Sequence, residues 1–233
     1  LVRPAPIMAS SNFFSRLTSS LIFTTCVPLL ARAAEPTAQR FDFGTGPVAA
    51  GYTVVGPETT YTPERGFGFE PGAALTSADR GGNDPLRRDF VTSAHPFFFS
   101  VDLPEGNYNV TVTFGDADAA TSTTVKAELR RLMLENVRTA AGEFSSRTFT
   151  VNVRRPKIAA VAGVAAGVVK LKAPRETTQE AWAWDHRLTL EFNGARPTVC
   201  ALEISPAVVP VLFLLGDSTV TDQSREPYNS WGQ

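Results

Sequence analysis

The chain has 233 residues, 43% of them hydrophobic and 19% charged, with 22 Lys and Arg against 23 Asp and Glu for a formal net charge of -1. That balance suits a soluble globular protein with a packed core and provides no electrostatic basis for nucleic acid or an anionic membrane as partner. Two cysteines, Cys26 and Cys200, are too few for a disulfide framework or a thiolate metal site, so function has to be sought in local motifs.

From Met8 the chain reads a short polar stretch with Arg16, a mostly apolar run over 21–30, and then Ala31-Arg32-Ala33-Ala34. Small residues after a short apolar run mark a signal peptide, cleaved close to Ala33. A membrane anchor needs about 20 apolar residues. This run is shorter and is interrupted by Thr24, Thr25 and Pro28. Residues 1–34 are therefore read as upstream sequence and signal peptide, which implies a secreted or periplasmic product with no membrane attachment after cleavage. Cys26 leaves with that segment. Cys200 stays in the apolar run 197–204 and is expected to be a buried, inert thiol.

Beyond residue 34 short alternating runs are broken by Gly, Pro, Asn and Asp, the punctuation of an antiparallel all-β domain. The pattern predicts strands at 40–43, 97–102, 108–114, 123–129, 144–153, 168–172, 188–192 and 199–204. Between the second and third of these, Pro104-Glu105-Gly106-Asn107 reads as a hairpin turn, with Tyr108, Val110, Val112 and Phe114 on one buried face. The stretch 127–137 is read as a strand continuing into a turn, and 158–169 as a loop or weak strand that fills space. Two prolines, Pro206 and Pro210, mark a domain boundary near residue 206. The following Val211-Leu212-Phe213-Leu214-Leu215 fits a strand buried on both faces, as in a parallel sheet covered by helices.

A polar turn, Gly216-Asp217-Ser218-Thr219, follows that strand directly. Open α/β sheets place their active sites at the carboxyl ends of strands. A serine in such a turn exposes its hydroxyl among free backbone N–H groups, which can stabilise the oxyanion formed when it attacks an ester carbonyl. Gly216 permits the turn, Asp217 braces it, and Ser218 is placed to attack. On its own the tripeptide is also a common turn sequence, and it is not the G-x-S-x-G elbow of α/β-hydrolases.

Residues 211–223 together with Pro227-Tyr228-Asn229-Ser230-Trp231-Gly232-Gln233 resemble the first block of the SGNH (GDSL-type) hydrolases, and within them the rhamnogalacturonan acetylesterases. The resemblance implies a flavodoxin-like α/β domain over 206–233 and beyond that removes acetyl groups from pectic polysaccharide through an acyl-enzyme. Ser218 matches the nucleophile, with its backbone N–H in the oxyanion hole. The other oxyanion donors, a Gly and an Asn, and the catalytic Asp and His belong to later blocks that these 233 residues do not contain. The chain is thus expected to be an N-terminal fragment, inactive by itself, since a serine without a base is a poor nucleophile. His95 and His186 precede the nucleophile and are read as structural or surface residues.

Residues 39–205 are read as a separate module. Phe41-Asp42-Phe43-Gly44, Gly51-Tyr52, Arg65-Gly66-Phe67-Gly68-Phe69, Arg88-Asp89-Phe90 and the run 97–108 resemble galactose-binding-like β-sandwich modules, including malectin-like ones. That resemblance implies a jelly-roll sandwich, so the fold expected is mainly β. Tyr52, Tyr61, Phe67, Trp182 and Trp184 are candidate platforms for sugar rings, with Asp79, Asn83 and Asp84 as polar partners, although core aromatics and a solvated turn account for the same residues. Asp79, Asp84 and Asp116 lack a fixed ligand spacing, so no metal is assigned, and no cofactor is implied. The expected partner is acetylated pectic polysaccharide. The alternative is a carbohydrate-binding or purely structural sandwich without catalysis.

Overall fold

Along 106–115 the chain alternates Tyr108, Val110, Val112 and Phe114, all buried, with the half-buried Asn107, Asn109, Thr111 and Thr113. Period-two burial of this kind belongs to a strand with one face on a core. The same alternation recurs through a computed structural model that describes residues 38–212. In chain order its strands are β1 (Gln39–Phe43), β2 (Thr53–Val55), β3 (Phe67–Phe69), β4 (Thr76–Asp79), β5 (Asp89–Thr92), β6 (Phe97–Asp102), β7 (Gly106–Gly115) and β8 (Thr121–Ala127). They continue with β9 (Arg131–Thr139), β10 (Phe144–Val153), β11 (Lys157–Ile158), β12 (Gly167–Val168), β13 (Arg187–Arg196), β14 (Thr198–Val199) and β15 (Ala201–Pro206). One short α-helix, α1 (Pro85–Arg88), precedes β5, and a π turn (Arg175–Gln179) and a 3-10 turn (Ala181–Ala183) precede β13.

Two five-stranded sheets form a sandwich, one ordered β10-β7-β15-β1-β2 and the other β3-β6-β13-β8-β9. All pairings within them are antiparallel except β1 with β2. A three-stranded sheet β14-β5-β4 and the ribbon β11-β12 complete the strands. Phenylalanines knit the two large sheets together. Phe41 and Phe43 of one sheet lie 5.2 and 5.1 Å from Phe99 of the other, edge to face, and Phe69 meets Phe99 at 5.5 Å. Each such pair contributes about 0.5–1.5 kcal/mol beyond the area it buries.

The structure corrects four expectations. The strands on either side of Pro104-Glu105 are not a hairpin: β6 and β7 lie in opposite sheets, and the connection carries the chain across the core. Alternation is the same for either partner, so it cannot distinguish the two arrangements. The run 199–204 is broken at Cys200, with β14 pairing β5 and β15 pairing β1 and β7. The strand expected at 168–172 is confined to Gly167–Val168, which pairs with Lys157–Ile158. The stretch 127–137, expected as a strand continuing into a turn, has the opposite order: β8 ends at Ala127, Glu128 and Leu129 turn with positive φ of 50° and 77°, and β9 then occupies the remainder from Arg131. Cys200 is fully buried and burial raises its thiol pKa, as befits an inert side chain.

Candidate carbohydrate-binding face

Alternation in β6 turns Phe97, Phe99 and Val101 into the core and leaves Phe98 and Asp102 half-buried on the other side. On neighbouring β13, Leu188 and Leu190 face the core and Arg187 is half-buried. These outward residues gather the loop side chains around them. Tyr61 Oη donates to Asp102 Oδ1 at 2.8 Å, and His186 Nε2 lies 3.4 Å from the same oxygen. Arg187 is placed 4.8 Å over the Tyr61 ring, held by Asp185 Oδ2 and Glu70 Oε1, each at 2.9 Å. Burial, together with the bond to Asp102, pushes the Tyr61 phenol up to about 12, so it stays a donor at neutral pH.

Glu70 joins this group to the next one, because its backbone N–H donates to the Phe98 carbonyl at 2.9 Å. The Phe98 ring meets Trp182 at 5.3 Å, and Arg154 sits 4.5 Å over Trp184. The segment that carries both tryptophans is tied down by Arg130 to Glu180 at 2.9 Å. Beneath it Glu128 is 2% exposed and accepts from the Thr189 N–H at 3.1 Å. Burial pushes the Glu128 carboxyl up to about 7, against the opposing effects of that N–H and of Arg131. Tyr61 reaches Asp102 because Gly68 has no side chain: at φ 144°, a Cβ there would run into the backbone of Thr60 and Tyr61. The chemical content of the face is aromatic surface beside hydroxyl, carboxylate and guanidinium groups, the combination that holds sugar rings and their hydroxyls.

Three of the expected platforms, Tyr61, Trp182 and Trp184, belong to this face. Tyr52 stands apart, its hydroxyl donating to Glu203 at 2.7 Å. Phe67 takes the core reading: it packs on Phe41 at 5.1 Å, among the partly buried residues that line the core. The expected polar partners lie elsewhere. Asp79 is held by Arg88, and Asp84 caps α1 through the Leu86 N–H at 3.1 Å. Asn83 is exposed beside them. Asp116, fully buried, receives Arg80 at 2.9 Å and Arg196 at 2.5 Å. Burial alone would raise it, yet those arginines and the Asp118 N–H bring it down to about 2. Asp102, Asp185, Arg187, Glu70 and Phe98 were not singled out from the sequence, although the run Trp184-Asp185-His186-Arg187 beside a strand holds most of the signal. His95 and His186 are both exposed. Ser218 and Asp217 lie outside the described residues, as do the expected signal peptide and most of 206–233. Among the described residues, no group of three or more His, Cys, Asp or Glu is placed to hold a metal ion.

Comparisons with known proteins bear on the sandwich. The chain is 38% identical over 127 residues to beta-agarase A of Zobellia galactanivorans, a match covering 52% of this chain and 23% of that protein. It is 32% identical over 93 residues to a Bacillus subtilis protein described as uncharacterized esterase YxiM, covering 38% of this chain and 24% of that one. The chain thus spans less than a quarter of the length of either relative. The crystal structure of Bacillus subtilis YxiM superposes with a TM-score of 0.54 at 24% identity, over 80% of this chain and 46% of that chain, and so shares the fold. Residues 39–165 match the model of one family across more than half of the sequence, and the chain belongs to that family, the beta-agarase/YXIM esterase-like, galactose-binding domain-like proteins.

Proposed function

We propose that this chain is the glycan-docking and nucleophile-bearing part of a secreted or periplasmic carbohydrate esterase that removes acetyl groups from pectic polysaccharide. The observation that carries the reading is a juxtaposition: a sandwich of a family named for an agarase and an esterase stands directly before the apolar run 211–215 and the turn Gly216-Asp217-Ser218. Ser218 Oγ would attack the acetyl carbonyl, its own backbone N–H would receive part of the oxyanion charge, and Asp217 would brace the turn. The proton on Oγ needs a base, and no histidine follows Ser218 within these 233 residues. In the SGNH resemblance the Asp and His that supply it come from later blocks, so the 233-residue chain by itself is expected to release no acetate. Acetate release from acetylated pectin by the longest natural gene product, against its Ser218→Ala variant, tests this. Loss of release supports the reading; unchanged release overturns it.

The second reading, a binding module without catalysis, draws on the Tyr61, Trp182 and Arg187 face. Affinity electrophoresis of the 233-residue chain in gels with acetylated pectin, deacetylated pectin or agarose separates the two. Retardation without any serine-dependent hydrolysis in the longer product favours binding alone.

A further inference from the structure

The net charge of -1 conceals a local imbalance. Between Glu143 and Glu176 the chain has seven Lys and Arg and no Asp or Glu, and the centre of that stretch, 158–169, is made only of Ile, Val, Ala and Gly. It folds as a hairpin that belongs to neither large sheet. β11 and β12 pair with each other alone, Lys157 opposite Val168. The same register carries on to Val161 opposite Val164, whose backbones exchange hydrogen bonds at 3.1 and 2.9 Å around Ala162-Gly163. Gly163 supplies the φ of 81° that this two-residue turn requires.

The two ends of the hairpin differ in chemistry. At its root the Val169 N–H donates to the Pro156 carbonyl at 2.7 Å, which sets Arg155 across from Lys170 and beside Lys157, all three exposed. Like charges facing across two strands weaken a ribbon, and no carboxylate of the stretch relieves them. Toward the tip Val168, Val161 and Val164 are 72%, 64% and 56% exposed. Single exposed valines are ordinary, but a contiguous apolar strip on a projecting hairpin marks an interaction surface. From Lys157 to Val161 the strand advances roughly 13 Å, more than the roughly 5–8 Å of one bilayer headgroup layer. Arg154, at the root, lies 4.5 Å over the half-buried Trp184 ring, so an indole stands level with the cations, as in the interfacial belts of membrane proteins. Valines, then cations and an indole, follow the order from acyl chains to phosphates. An anionic glycan would engage the cations and leave the valines in water.

We propose that the 155–170 hairpin docks the protein on an anionic phospholipid surface, with Val161 and Val164 entering the acyl boundary and Arg155, Lys157 and Lys170 meeting the phosphates. Such attachment is peripheral and reversible, unlike a spanning anchor. The test is flotation of the 233-residue chain with vesicles of equimolar phosphatidylglycerol and phosphatidylcholine, against phosphatidylcholine alone. Binding is expected to the first only and to weaken with salt. A combined Val161→Asp and Val164→Asp variant should lower partitioning about tenfold, and Arg155→Ala with Lys157→Ala and Lys170→Ala about a hundredfold. Arg147→Ala, an exposed cation outside the hairpin, should bind as the unaltered chain does. Melting temperatures should be unchanged throughout. Absence of binding, or binding that neither hairpin variant weakens, overturns the proposal, the latter by assigning attachment to another segment such as 21–30. Loss in the cation variant alone overturns insertion in favour of surface adsorption. Retardation in polygalacturonate gels that the cation variant abolishes, without vesicle binding, overturns it in favour of an anionic glycan.

Discussion

Around Tyr61 and under the 44–49 turn the molecule uses the same materials, carboxylates, arginines and close backbone, in contrasting ways. On the face built from β3, β6 and β13, Arg187 has two carboxylate partners whose side chains are 12% and 18% exposed, and His186 beside them is half-exposed. Under the turn, whose Ala49 and Gly46 N–H groups donate to them, Asp42 and Asp89 are almost wholly buried and each keeps an oxygen that no described donor meets. Charges that are paired and still touch water can exchange partners with an arriving hydroxyl at little cost. Charges that are buried and only partly satisfied oppose folding. The first region is therefore suited to recognition and the second to stability, and mutations should separate the two.

The largest effect is expected from Asp116, a buried carboxylate that does have its arginines. Asp116→Ala should lower stability in urea by about 3 kcal/mol, the lower part of the range for broken buried pairs because Arg80 and Arg196 remain a third exposed. Glycan binding by the folded fraction should be unchanged. Next comes the pH dependence, which takes opposite signs at Asp116 and Glu128. Asp116, held to about 2, contributes stability that is present above the ordinary carboxylate range and lost as pH falls through 2. Glu128, raised to about 7, contributes stability that is present below its ordinary 4.5 and lost as pH rises through 7, on the order of 3 kcal/mol. Glu128→Gln should flatten the alkaline side of a stability profile measured from pH 5 to 8.5, and an unchanged slope would discount that carboxyl.

Smaller in energy but more specific, Trp182→Ala should weaken glycan binding at least tenfold, about 1.4 kcal/mol, while the urea midpoint moves little. A binding loss matched by an equal loss of stability would return Trp182 to a packing role against Phe98. The smallest effect belongs to His186→Ala, a surface change expected to stay within about 0.5 kcal/mol in stability. Its effect on binding reports whether the Asp102 oxygen it neighbours is engaged by ligand.

Some longer strands were legible from the chain alone: the observed β6 and β10 coincide with the expected 97–102 and 144–153. The short strands were not. Thr53–Val55 and Phe67–Phe69 have three residues each, too few for a period, and Asp89 opens β5 with a residue that ordinarily signals a turn. β9 was obscured because the register against β8 shifts around Val125, which breaks its alternation. For the candidate face, aromatic residues could be nominated from composition, but their neighbours could not. Tyr61 and Asp102 are 41 positions apart and Glu70 and Arg187 are 117 apart, and only sheet pairing brings them together.

Gly68 carries a consequence for how such a face can change over generations. Backbone from Thr60 and Tyr61 is laid directly over it, so Tyr61 is placed by main-chain bonds to Phe69 that leave no room for a side chain. Trp182 and Trp184 ride instead on a segment held by side-chain ties such as Arg130 to Glu180, and that segment can be rebuilt without disturbing a strand. Side chains are free to drift at the tryptophan side, while the tyrosine side holds still as a fixed reference.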